Sequence, residues 1–275
     1  MKTKALYFLA LVLFGLTISF NSCKDDELTP NQTAIAAAED DLIVNESFDQ
    51  IFEEVDDAVG KEFGGLKTGT LDECPVRTVD RPNDTQYPKV VTIDFGESCV
   101  KNEVVKSGKL IVKLTDNYKK VGSQRIVTFE NFKINGRSVT GTKTVTFKGL
   151  NENNQPWFTV ELKDMKITIA NGKQVTRNAS KNFTKTAGAD TPLLIWDDEY
   201  LITGSASGIN RNGKNYTMTI TTPLHRQLGC RWIKSGVKEF DIDSQKVVID
   251  YGNDACDNIV TITVNGETKE VKIKN

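Results

Sequence analysis

From Lys89 onward the chain is built of short runs rich in Val, Ile, Thr and Phe whose side chains alternate between two faces. Leu110, Val112 and Leu114 alternate with Ile111 and Lys113, and Val145 and Phe147 with Thr144, Thr146 and Lys148. This period of two is that of a strand buried on one side. Asn-Gly pairs at Asn135-Gly136, Asn171-Gly172, Asn212-Gly213 and Asn265-Gly266 supply the positive φ angles of tight hairpin turns. Between Trp157 and Ile169 the parity slips: Val160 and Leu162 lie on one face, Met165, Ile167 and Ile169 on the other. A one-residue slip exchanges the faces of a strand, so a bulge or tight turn is expected near Lys163-Asp164. The pattern predicts about twelve strands between Lys89 and Lys274, with no helix long enough for parallel crossovers. The class is all-β, a large antiparallel meander or a β-sandwich.

Upstream the period changes. Ile35, Ala38, Leu42, Phe48, Ile51, Phe52, Val55 and Val59 recur at spacings of three and four, an amphipathic helical segment over residues 34–62. Acids are expected on its opposite face. Asn45-Glu46-Ser47 is a point where it could divide into two short helices, and Gly60 and Gly64-Gly65 end it. A strut packed on the β body (residues 63–275) is the expected role, with a partner-binding helix as the alternative.

The first 22 residues read as an address. A basic Met1–Lys4 precedes an apolar run from Ala5 to Phe20, shorter than the roughly 20 residues of a membrane span. Ser19-Phe20-Asn21-Ser22-Cys23 resembles the lipobox of Bacteroidota lipoprotein signals. The resemblance implies cleavage before Cys23 and acylation of its sulfur and its new amino group, a palmitate-type anchor in the cell outer membrane. Several acyl chains hold stably where one does not. Lys24-Asp25-Asp26-Glu27 resembles the signal that exports such proteins to the outer surface, and residues 23–33 read as an acidic tether.

Charge separates the same segments. The whole chain has 35 Lys+Arg against 37 Asp+Glu, a formal charge of −2. Residues 24–60 hold twelve acids and one base, a local −11; residues 61–275 hold thirty-two bases and twenty-five acids, or +7. Lysines alternating with apolar residues along strands do not form a nucleic-acid stripe, so no nucleic-acid partner is expected. Docking of the acidic helix on its own basic β body is.

Four cysteines remain beside Cys23, allowing three pairings. Val91-Thr92-Ile93-Asp94-Phe95-Gly96 precedes Cys99, and Val247-Val248-Ile249-Asp250-Tyr251-Gly252 precedes Cys256. Each motif has a further cysteine about one hairpin upstream. Spacing and repetition therefore favour disulfides Cys74–Cys99 and Cys230–Cys256, in keeping with an exported protein. Ile93-Asp94-Phe95-Gly96 to Cys99, followed by Lys106-Ser107-Gly108-Lys109-Leu110-Ile111-Val112, resembles a family of uncharacterised Bacteroidota surface lipoproteins. That resemblance implies the compartment and the β architecture; it brings no activity.

No catalytic residue, cofactor or metal is expected. Asp94 and Asp250 would make a carboxylate pair only if the fold brought them together, and an Asp before aromatic-Gly more often caps a turn. Asp197-Asp198-Glu199 and Asp241-x-Asp243 lack the pattern of a calcium loop. His225 is the single histidine, with no nucleophile elbow to serve. Trp157, Trp196 and Trp232 are the candidate ligand-binding residues, since an exposed indole stacks on a sugar face and a buried one belongs to the core. The leading reading is a non-enzymatic, lipid-anchored envelope protein with a structural or interaction role. A glycan-binding accessory lipoprotein of a polysaccharide uptake system is the alternative, and a carboxylate-dependent hydrolase the third. The partners implied are the membrane, through Cys23, and a glycan or another envelope protein.

Overall fold

A computed structural model of the chain describes residues 30–64, 74–81, 85–101, 103–169, 172–191 and 195–273. Cys23, the export signal Lys24 to Glu27 and the signal segment lie outside them.

The β body is one antiparallel meander. Its strands are β1 (Val76–Val79), β2 (Lys89–Asp94), β3 (Cys99–Lys101), β4 (Val104–Leu114), β5 (Gln124–Ile134), β6 (Arg137–Leu150) and β7 (Pro156–Thr168). They continue as β8 (Gln174–Ala187), β9 (Glu199–Ile209), β10 (Asn215–Gln227), β11 (Ile233–Ile242), β12 (Gln245–Asn253), β13 (Ile259–Val264) and β14 (Glu267–Lys272). Spatial order follows chain order, except that β2 and the short β3 both pair with β4. The single sheet excludes the sandwich alternative. The short β3 brings the strands between Lys89 and Lys274 to thirteen, and β1 adds one more upstream of that stretch.

Bulges shape the sheet. The slip anticipated at Lys163-Asp164 is present: Asp164 has φ 51°, and the β7–β8 register jumps between Leu162 and Met165. Opposite it on β6 is Gly141, φ 117°, where a Cβ would lie 2.6 Å from the Met165 Cα. On β9, Gly204 presses on β8, its hypothetical Cβ 2.3 Å from the Ser180 carbonyl oxygen. Gly108 of β4 against β5 and Gly236 of β11 against β10 complete the set. Starting one strand in from one edge (β2) and two strands in from the other (β12), the order repeats: an Ile-Asp-aromatic-Gly strand, a Lys-Ser-Gly strand, then a second glycine bulge two strands further in. In strand order the two series are centred on the β7–β8 step. Each bulge adds bend and twist, and together they curl the sheet.

The curled sheet holds one helix, α1 (Pro30–Gly64). It starts at a proline, favoured in a first helical turn, and runs unbroken through Asn45-Glu46-Ser47, so the two-helix alternative does not hold. Asn45 is retained because its side chain donates to Asp41, and the Ser47 hydroxyl donates to the Ile43 carbonyl. Ala34, Ala37, Ala38 and Leu42 pack on the half-sheet from β9 to β14; Val44, Phe48, Ile51 and Val55 pack on the half from β2 to β8. The helix reaches strands close to both edges, β2 on one side and β12 and β13 on the other. Its apolar stripe packs on the β body as expected, and it joins the core of both halves.

The acids expected on the outer face of the helix correct in an instructive way. Asp40 and Asp41 are 1% and 2% exposed and face the sheet. Asp41 Oδ1 pairs with Arg177 of β8, and Oδ2 accepts from Lys238 Nζ of β11 at 3.1 Å. Arg177 also donates to Asn45 Oδ1 at 2.9 Å and to the Tyr216 hydroxyl at 3.1 Å; Lys238 donates to the Tyr251 hydroxyl at 2.9 Å. Asp40 pairs with Arg211 in the β9–β10 connection, which raises the Arg211 pKa. Lys89, Lys106, Lys143 and Arg226 are buried on the same inward face. The expected docking of an acidic helix on a basic body thus takes place inside the core. Removing Asp41 would strand two buried cations, and loss of one member of a buried ion pair costs about 3–5 kcal/mol. Asp41→Ala should lower stability by that amount in urea unfolding. Asp40→Ala, whose partner Arg211 is partly solvated, should cost less.

Candidate functional site

A meander sends alternate connections to opposite ends of its sheet. At one end β5–β6, β7–β8, β9–β10, β11–β12 and β13–β14 are joined by two to five residues, and all four Asn-Gly pairs fall there. At the other, the β4–β5, β6–β7, β8–β9, β10–β11 and β12–β13 loops have five to eleven. Long loops on a rigid scaffold are where binding residues concentrate. Helix α1 begins at the tight-turn end, where Asn31 donates to Glu267 Oε2 at 3.3 Å and accepts from Asn265 at 2.9 Å.

All three tryptophans belong to the long-loop end, at the start of β7 and in the β8–β9 and β10–β11 loops. They do not share a surface. Trp157 is half-buried on the outer face of the sheet, with Lys148 Nζ 5.9 Å from its ring centroid. Trp232 packs on the inner core of the β9–β14 half, and the Arg231 guanidinium lies 4.9 Å over its ring. Trp196 is 67% exposed on the 3-10 turn Ile195–Asp197.

The Trp196 turn is held on several sides. Asp197 accepts from the Thr191 hydroxyl at 2.6 Å, and the Leu228 amide donates to the Asp198 carbonyl at 2.9 Å. A Cβ on Gly229 would lie 2.7 Å from the Trp196 carbonyl oxygen, so the β8–β9 and β10–β11 loops touch where only glycine fits. Cys230–Cys256 ties that second loop to the β12–β13 loop, while Cys74–Cys99 lies at the tight-turn end; both are the pairings favoured by the repeat. Beneath the turn Asp198 is buried. Desolvation pushes its carboxyl above the usual range, opposed by Lys185 Nζ at 2.7 Å and by the Tyr200 hydroxyl.

His225 braces this end from the outer face. Its Nδ1 lies 2.5 Å from Asp254 Oδ1 and its Nε2 3.3 Å from Glu199 Oε2. The Ser235 hydroxyl donates to the same Asp254 oxygen at 3.1 Å. The serine bonds the carboxylate rather than the ring, so the three do not form a hydrolase triad. The other candidate acids are likewise engaged. Asp94 and Asp250 accept the amides of Gly96 and Gly252 at 2.9 and 2.8 Å, two equivalent turn caps. They lie at opposite ends of strands far apart in the sheet, so the fold does not bring them together as a carboxylate pair. Asp243 pairs with Lys214, and among the described residues no three His, Cys, Asp or Glu side chains gather as a metal site would require. No family model, curated protein or solved structure is similar enough to the chain to lend it an activity.

Hydrogen bonding from His225, with Ser235 and nearby cations adding, holds the Asp254 carboxyl below the usual carboxylate range. A depressed folded-state pKa stabilises above the unfolded value, and that contribution is lost as pH falls through the folded value. Asp254→Asn should therefore lower the melting temperature more at pH 6 than at pH 3. Half-exposure of the Asp254 carboxylate limits the effect to under about 1 kcal/mol.

Proposed function

We propose that this is a non-enzymatic, lipid-anchored interaction module of the cell envelope, held at its tight-turn end and presenting its long-loop end outward. The observation that carries the reading is the placement of the start of α1 beside the β13–β14 turn, opposite every long loop. Between Cys23 and Pro30 the sequence has six residues. Such a segment spans at most about 20 Å, so an acylated Cys23 would keep the tight-turn end near the lipid. The Cys23 lipobox, the acidic Lys24 to Glu27 and the disulfides support an exported, surface-facing protein.

An interaction role, rather than catalysis, is supported by the engagement of Asp94, Asp250, His225 and Asp254 in turn caps and cross-strand braces. The protein needs no helix across the bilayer in this reading, and none of the described helix is apolar enough to cross one.

Two measurements test it. Wild-type protein should take up an alkyne-palmitate label and sediment with membranes, whereas Cys23→Ala should do neither; acyl label retained by the variant would overturn the anchor. The chain's three tryptophans all lie at the long-loop end. Intrinsic fluorescence of the lipoprotein in vesicles of brominated lipid should therefore match that in unbrominated vesicles, and strong quenching would reverse the orientation.

A further inference from the structure

We infer that one corner of the tight-turn end, built from β3, β4 and the β5–β6 and β7–β8 turns, is a lipid-contact surface that seats Val100 and Val105 among anionic headgroups. The inference rests on the membrane-facing orientation proposed above, and it names the lipid chemistry that this end recognises.

The first observation is an apolar pair that the fold leaves open. Val100 of β3 and Val105 of β4 stand directly opposite in register and are 65% and 40% exposed. Cys99 and Lys106, the next pair along the ladder, are buried, so the two valines point to the outer face. Among the described residues, no other two exposed large apolar side chains are ladder partners.

The second is the charge around that pair. The Asn135 amide donates to the Val105 carbonyl at 2.7 Å, and the Val105 amide donates to Asn135 Oδ1 at 2.9 Å. These bonds fasten β4 to the β5–β6 turn, which Lys133 and Arg137 flank. Lys101 follows Val100, and Lys166 and Lys173 lie about the β7–β8 turn. None of these five cations has an ion-pair partner among the described residues, and Glu103 is the acid that shares their corner. The other half of the same end is different. There Arg211 pairs with Asp40, Lys214 with Asp243 and Lys246 with Glu239. Unanswered positive charge is thus gathered on one side, around the open valines.

The third is the tether. Six residues separate Cys23 from Pro30, so an acylated cysteine holds this end within about 20 Å of the lipid. A surface held so close meets headgroups at high effective concentration. Near an anionic membrane each lysine or arginine favours the docked state by about fivefold, and the valines add apolar contact. A soluble acidic protein would have to displace the membrane from the face that the tether keeps beside it.

The test places a reporter in the corner of the full acylated lipoprotein. Val100→Trp is reconstituted in vesicles of phosphatidylcholine brominated near the top of its acyl chains, with or without phosphatidylglycerol. Its added emission should be strongly quenched with phosphatidylglycerol and less so without it. Val121→Trp, equally exposed in the β4–β5 loop of the opposite end, should stay unquenched. Salt at about 1 M, where the screening length is about 3 Å, should relieve the quenching. Lys101→Glu combined with Lys133→Glu should do the same, with an unchanged melting temperature because both lysines are exposed and unpaired. In the unaltered protein, amide exchange of β3 and β4 should slow when phosphatidylglycerol is included. An unquenched Val100→Trp with phosphatidylglycerol present would overturn the inference. So would quenching that is as strong without phosphatidylglycerol or that survives the charge reversal, since the tether alone would then explain the contact. Quenching of the native tryptophans would instead defeat the orientation itself, so the two failures are distinguishable.

Discussion

A single carboxylate sets how this molecule is assembled. Asp41 lies within the buried stripe of α1 and is met by cations from two strands, Arg177 of β8 and Lys238 of β11. Apolar packing alone would allow the helix to slide or rotate, since leucine, valine and phenylalanine tolerate many neighbours of similar size. The ion pairs do not. A rotation of one residue, about 100°, would leave three charges buried without partners, and each carries a desolvation penalty of several kcal/mol. The hydroxyls of Tyr216 and Tyr251 satisfy further donors of the two cations. The net energetic gain over an apolar replacement is small, but the arrangement admits only one register of helix on sheet.

That register requires a curved sheet. A flat meander of this many strands would present one helix to only a few of them. The paired bulges at Gly108 and Gly236, and at Gly141 and Gly204, bend the sheet symmetrically about the β7–β8 step, and α1 lies in the resulting trough. The helix breaks the symmetry: its small residues, Ala34, Ala37 and Ala38, face one half, and Phe48, Ile51 and Val55 face the other. Strand aromatics fill the core of both halves, Phe95 and Phe132 in one and Tyr216, Phe240 and Tyr251 in the other.

The architecture was largely legible in the sequence because it rests on local periodicities. Period-two runs, Asn-Gly turns, the slip at Lys163-Asp164 and the repeated cysteine surroundings each report on a few adjacent residues, and the meander keeps neighbours in sequence neighbours in space. What escaped was non-local. Asp40 and Asp41 look like ordinary solvated helix acids until their partners, more than a hundred residues away, are known. A trace of the arrangement was present: Arg177 and Lys238 occupy inward positions of otherwise apolar alternations, between Val175 and Ala179 and between Gly236 and Phe240. A base at a core position demands an acid, and the chain's surplus of acids sits in one helix. The three tryptophans illustrate the same limit, since their spacing gives no hint that only one is exposed.

The division of labour between the ends follows from the same topology. A meander with an N-terminal helix in its trough must send its connections alternately to the end where the helix enters and to the end opposite. Length is unconstrained by the fold at either end, yet the two-residue turns fall beside the entry point and the nine- and eleven-residue β4–β5 and β8–β9 loops fall away from it. Short turns minimise the loop entropy lost on folding. At the opposite end three loops are pinned, by Asp198, His225 and the Cys230–Cys256 bond. The loops of that end are therefore held in place by side-chain hydrogen bonds and a disulfide, not by shortness.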